Sequence, residues 1–291
     1  MKKSLTFVQA LLPFIVMAAI QLIFGIVTGI VVCTQLVMEQ PDLINNPTLY
    51  QEVLTAQVSE VMPNTIMIIH ITNVIIMLIW FIRFNKKNNT PGTSYVKSAT
   101  LKNIGMVVLI AIGLQGVITF GLCLISYFNP ELFTAYNELL EQSGLTSAST
   151  PALLSATVLA PIGEELAFRG ITMRYLKKTG LCIWVANIIQ AVLFGVEHLN
   201  IVQGIYATIM GLVFGYIMYK YDSIYLAILL HILVNTMSYV FGMLPLDMER
   251  LPHIFVMGII GIAFSVAAAY ATITNPAEVP VEASEDATEC A

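Results

Sequence analysis

Two adjacent glutamates, two histidines and an asparagine carry the chemistry this chain could perform. The stretch Pro161-Ile162-Gly163-Glu164-Glu165-Leu166-Ala167-Phe168-Arg169-Gly170 is followed by Phe194-Gly195-Val196-Glu197-His198, and then by His231-Ile232-Leu233-Val234-Asn235. All three stretches lie in apolar runs, where ionisable side chains are costly and mark function by default. A carboxylate that can take a proton, an imidazole that can pass one on, and N–H donors that can meet a developing negative charge are the parts of a general base with an oxyanion hole.

Helical geometry divides the roles. Neighbouring residues on a helix point about 100° apart, while residues four apart share a face. Glu165 and Arg169 are four apart in the favourable order, acid first, so they are expected to pair. An arginine among apolar residues requires such a partner. Glu164 faces another direction, has no partner in its own helix, and is the candidate general base. His231 and Asn235 are also four apart and offer two convergent donors. A hairpin folded near Gly180 and Leu181 brings Glu164, sixteen residues before Gly180, level with His198, seventeen after Leu181. His198 can then share the proton work. Glu197 faces away from His198 and reads as a solvated end-of-span residue. His70, with no acid nearby in its span, reads as a core or interhelical histidine.

The motifs Glu164-Glu165-x-x-x-Arg169, Phe194-x-x-x-His198 and His231-x-x-x-Asn235, in that order and inside spans, resemble those of the CPBP family, the CAAX proteases and bacteriocin-processing enzymes. The resemblance covers about residues 150–240. It implies an intramembrane endopeptidase of the glutamate type acting on a membrane-associated peptide or protein. By position, Glu164 would activate water with His198, and His231 with Asn235 would stabilise the oxyanion. Glu165, Arg169 and Phe194 would support the site. The family has often been described as metalloproteases. No His-Glu-x-x-His motif occurs here, so a metal-free site is expected. The alternative is a divalent metal such as zinc held by Glu164, His198 and His231.

The elements that must position these residues are membrane helices. Of 291 residues, 57% are hydrophobic and 11% charged, against roughly 25% charged in soluble domains. Mean hydropathy is +0.82. Continuous apolar runs of about twenty residues are spanning helices rather than alternating barrel strands. The expected fold is all-α, a polytopic bundle of about eight spans near 7–38, 63–84, 104–128, 150–174, 182–199, 201–219, 223–243 and 252–273. Pro63, Gly92, Pro130, Gly180 and Pro245 punctuate the breaks. The loops 39–62 and 129–149 are long enough to carry short surface helices. The path of the 199–204 connection is left open by depth counting.

Residues 1–274 are expected to form one transmembrane domain, with 275–291 an acidic disordered tail holding Glu278, Glu282, Glu285, Asp286 and Glu289. With the N-terminus inside, eleven basic residues fall on inner segments: Lys2, Lys3, Arg83, Lys86, Lys87, Lys97, Lys102, Arg174, Lys177, Lys178 and Lys220. Only Arg250 falls outside, so both termini are expected in the cytosol of a cell-membrane, multi-pass protein. The partners expected are the lipid bilayer and a membrane-associated substrate. No basic patch interleaved with aromatics points to nucleic acid. Two other classes are open: a non-catalytic scaffold or bacteriocin-immunity protein of the same fold, and a proton-relay transporter, which would usually show two related halves.

Overall fold

The computed structural model describes residues 2–88, 99–142, 149–242 and 251–274, and these are helical almost throughout. In chain order the helices are α1 (Lys2–Glu39), α2 (Pro47–Lys87), α3 (Leu101–Phe128), α4 (Pro130–Gln142), α5 (Thr150–Lys178), α6 (Ile183–Glu197), α7 (Ile201–Tyr221), α8 (Ile224–Gly242) and α9 (Leu251–Thr274). Five of them (α1, α2, α3, α5 and α7) are long and apolar enough to cross a membrane, while α6 and parts of α8 and α9 form shorter apolar helices. These eight correspond to the eight expected runs, and α4 is the surface helix anticipated between residues 129 and 149. The acidic segment 275–291 lies outside the described residues.

One boundary differs from expectation. Pro63 does not end a loop; α2 runs through it, and Pro63 is buried inside the helix. The expected loop 39–62 therefore shrinks to a short 3-10 turn at Pro41–Asn45, and the rest is helix. Proline is tolerated in membrane helices because neighbouring groups re-satisfy the freed carbonyl. At the 199–204 connection, α7 begins at Ile201 as expected, and only three residues separate it from α6. Leu199 takes a left-handed φ of 52°, and Asn200 caps α7 by accepting from Gln203 N at 2.9 Å. At the expected hairpin tip, Gly180 has φ 86°, which glycine adopts without steric cost.

Helix α5 is the axis of the bundle: 61% of its most apolar window is buried, against 11% for α1. Around it, Met77 and Phe81 of α2, Phe194 of α6, Phe214 of α7 and Leu230 of α8 close one continuous core with Leu166, Phe168 and Ile171. Lipid supplies no hydrophobic drive between helices, so small residues and interhelical hydrogen bonds bring them together. Helices α6 and α7 show both. A Cβ on Gly195 would lie 2.5 Å from Gly204 O, so only glycine permits their approach there. Asn187 Nδ2 donates to Leu212 O at 3.0 Å, and Gln190 Nε2 to Gly211 O at 2.9 Å.

Candidate active site

Helix α5 delivers both glutamates at a place where its winding changes. It is π-helical at Ser155–Leu159 and again at Leu166–Thr172, with an ordinary turn, Ala160–Glu165, between them. Such π segments are frequent at functional sites. The first has a cause in the sequence. Ala160 N–H bonds Ser155 O in the five-residue register. The next such donor, to Ala156 O, would be residue 161, a proline with no N–H. That carbonyl is taken instead by Asn235 Nδ2, at 2.8 Å from α8. One amide proton of Asn235 is thus committed to the backbone, and the second remains for other use.

The expected pair is present: Arg169 Nη1 lies 2.8 Å from Glu165 Oε1, with both side chains fully buried. Aromatic faces surround the guanidinium, its carbon lying 4.5 Å from the Phe194 centroid and 5.2 Å from that of Phe214. Arg169 Nε and Nη2 have no hydrogen-bond partner, and these ring faces take that place through cation–π attraction. Room for the group depends on Gly211, whose Cβ would sit 2.9 Å from Ala191 Cα and 3.2 Å from Arg169 Nη2.

Glu165 does more than neutralise Arg169. Its Oε1 also accepts from His231 Nδ1 at 2.9 Å. The other ring nitrogen, Nε2, faces Glu164 Oε2 at 3.7 Å. His231 therefore stands between the two carboxylates. Because a carboxylate only accepts, Nδ1 carries a proton, and Nε2 can donate only when the ring is doubly protonated. Glu164 retains 12% side-chain exposure where Glu165 has none, so Glu164 is the acid an incoming molecule can reach.

His198 caps the C-terminus of α6, with Nδ1 2.9 Å from Phe194 O. The carbonyl can only accept, so Nδ1 holds the proton and Nε2 presents a lone pair. Phe194 ties the set together: its ring meets His198 at 5.1 Å, His231 at 5.7 Å and Phe168 at 5.3 Å between centroids, all edge-on. The sequence-predicted residues thus come from α5, α6 and α8 to one place.

Sequence reasoning missed four neighbours. Phe214 of α7 packs 4.7 Å from the His231 ring, and nothing in its local sequence marks it. His70 of α2 lies within Coulombic reach of both Glu164 and His198, so it faces this cluster rather than a remote core. Asn73, one turn on, is buried with neither amide atom hydrogen-bonded, its Cβ 3.6 Å from the place where a Cβ on Gly163 would stand. Glu197 corrects the reading of a solvated span end. It is 7% exposed, and its Oε1 accepts from Gln21 Nε2 of α1 at 3.0 Å. A spacing of i,i+3 between His70 and Asn73 was the available signal for the α2 face.

Among the described residues no three His, Cys, Asp or Glu side chains are grouped so as to hold a metal ion. Glu164, His198 and His231 belong to no such grouping. No curated protein and no solved structure matches the chain. Residues 146–237 match the family model described as Rce1-like, type II CAAX prenyl endopeptidase Rce1-like. That segment, about a third of the chain, contains every motif residue from Glu164 to Asn235, and over it the chain is similar to this endopeptidase family.

Proposed function

We propose that the protein is an intramembrane endopeptidase that cleaves a peptide bond of a membrane-associated protein or peptide, with Glu164 as the general base. The observation that carries this reading is the placement of His231 between a buried glutamate that holds it and a reachable glutamate that faces its free nitrogen. Glu164 takes a proton from water as the oxygen attacks the scissile carbonyl carbon. The carbonyl oxygen becomes an oxyanion, met by Nε2–H of doubly protonated His231 and by the second amide proton of Asn235. The tetrahedral centre then collapses with cleavage of the C–N bond. The proton held by Glu164, or one relayed through His198 Nε2, goes to the leaving amine, giving a carboxylate and an amine. Burial strengthens each of these electrostatic contacts relative to water.

The test is cleavage of one defined peptide by the wild type and by Glu164→Gln, both purified in detergent, with products mapped by mass spectrometry. Glu164→Gln is expected to fold and to lose turnover. Undiminished turnover would remove Glu164 from the mechanism and leave the scaffold or immunity reading in front.

A further inference from the structure

At the end of the bundle away from Leu199, helices α1, α2 and α5 line an open cavity of about 640 Å³. That volume is within the range of about 300–1,000 Å³ typical of ligand sites. Its α2 wall is one helical stripe, Ile76, Ile79, Trp80, Arg83, Phe84 and Lys87, at the i,i+3/i+4 spacing of a single face. The stripe changes character along its length. It is apolar at Ile76 and Ile79, aromatic at Trp80, and cationic at Arg83 and Lys87. Eleven residues separate Ile76 from Lys87, about 16 Å of helix.

Lys178 adds a third cation from the end of α5, and Gln9 of α1 adds an amide. Among the described residues no acidic side chain lines the cavity. Among the described residues no ion pair involves Arg83, Lys87 or Lys178. Lys87 lies within Coulombic reach of Lys178, so like charges are held together with no ion-pair partner among the described residues. Lys178, itself exposed, gives a hydrogen bond to Asn88 Oδ1 and lies 4.6 Å over the Phe84 ring, which orients its head group at the rim of the groove. None of the lining residues belongs to the site around Glu164. Lys178 is fourteen positions beyond Glu164 on α5, roughly 20 Å along the axis.

We propose that this cavity binds an anionic glycerophospholipid, its phosphate between Arg83, Lys87 and Lys178 and an acyl chain along Ile79 and Ile76. Three unpaired cations call for a phosphate, and Arg83 adds a planar fork suited to it. The apolar continuation of the same stripe selects a phosphate that carries a hydrocarbon chain over one free in solution. Basic clusters between membrane helices at the cytosolic face are where anionic head groups dock, and Arg83, Lys86 and Lys87 of α2 and Arg174, Lys177 and Lys178 of α5 gather at this end.

The test is lipid titration of the purified full-length protein, read by native mass spectrometry and by thermal melting in detergent. Phosphatidylglycerol and phosphatidylcholine of identical acyl composition are compared, with inorganic phosphate and glycerol 3-phosphate as separate arms. Arg83 and Lys87 are both exposed, so Arg83→Gln with Lys87→Gln is expected to fold as the wild type does. Phosphatidylglycerol should bind and raise the melting temperature more than phosphatidylcholine, and the double variant should weaken that binding about thirtyfold, the effect of two interfacial cations. The control Lys86→Gln with Lys102→Gln removes the same charge at exposed positions outside the cavity lining and should bind as the wild type does. Equal binding of the two lipids, equal loss in both double variants, or an equal effect of glycerol 3-phosphate alone would overturn the proposal. Because none of these readings involves peptide cleavage, failure here is distinct from failure of the proposed activity.

Discussion

His231 Nδ1 lies 2.9 Å from Glu165 Oε1, the same oxygen that Arg169 Nη1 approaches at 2.8 Å. One carboxylate oxygen thus balances a buried guanidinium on its own helix and orients an imidazole from another. The two tasks are separable. Glu165→Leu alone strands Arg169 and is expected to destabilise by about 3–5 kcal/mol, whereas Glu165→Leu with Arg169→Leu should regain most of that loss. Cleavage should not return with stability, because His231 has lost its partner, and misplacing such a group costs about 10²-fold. Melting and turnover of the single and double variants would check this. A double variant that regains both would mean that His231 needs no orientation from Glu165.

Asn235 and Pro161 are expected to be energetically coupled through Ala156 O. Asn235→Ala leaves that carbonyl without its α8 donor and should cost about 1–3 kcal/mol, besides a loss of roughly 10²–10³ in rate if the second amide proton serves the oxyanion. Pro161→Ala restores a backbone N–H in the same turn. In the Asn235→Ala background it should therefore recover part of the stability without recovering the rate. Strictly additive melting shifts in the double-mutant cycle would show that the two residues do not share the carbonyl.

Gly211→Ala should be poorly tolerated although it adds a single methyl. The new carbon would press on the Ala191 backbone at 2.9 Å and on Arg169 Nη2 at 3.2 Å. Backbone cannot swing aside, so α6 and α7 must separate, at about 1–3 kcal/mol. Since α6 carries Phe194 and His198, turnover should fall with stability. Gly25→Ala, with nothing within 4 Å of the new carbon, is the matched control and should melt as the wild type does.

Chelation separates the metal-free reading from the zinc alternative. With no grouping of metal-ligating side chains among the described residues, cleavage in detergent should be unchanged by EDTA. Loss of activity restored by zinc would point back to Glu164, His198 and His231 as ligands.

The charge asymmetry predicts orientation. Ile44, 55% exposed in the turn between α1 and α2, should react as Ile44→Cys with a membrane-impermeant maleimide added to intact cells. Lys102→Cys should react only in inverted vesicles. The reverse pattern would invert the topology.

The sequence alone determined what depends on composition and on spacing within one helix. Charge too sparse for a soluble surface and apolar runs of spanning length required a helical membrane bundle, and α1, α3, α5 and α7 lie close to where those runs do. The period of 3.6 residues was enough to pair Glu165 with Arg169 and to set Glu164 apart from both, because their geometry is fixed before any helix meets another. Tertiary structure alone decided what crosses between helices. Nothing local to His231 states that its two nitrogens face two different glutamates. Nothing local to Glu197 states that Gln21, 176 positions away, covers it. His70 and Phe214 enter the site only because α2 and α7 pack against α5. Pro63 misled as a break for the same reason, since packing holds α2 helical through a residue that local propensity would end it at. Spacing along a helix is set by backbone hydrogen bonds within a few residues, whereas the partner across a helix interface is set by which small residues let two backbones approach, as Gly195 and Gly204 do for α6 and α7.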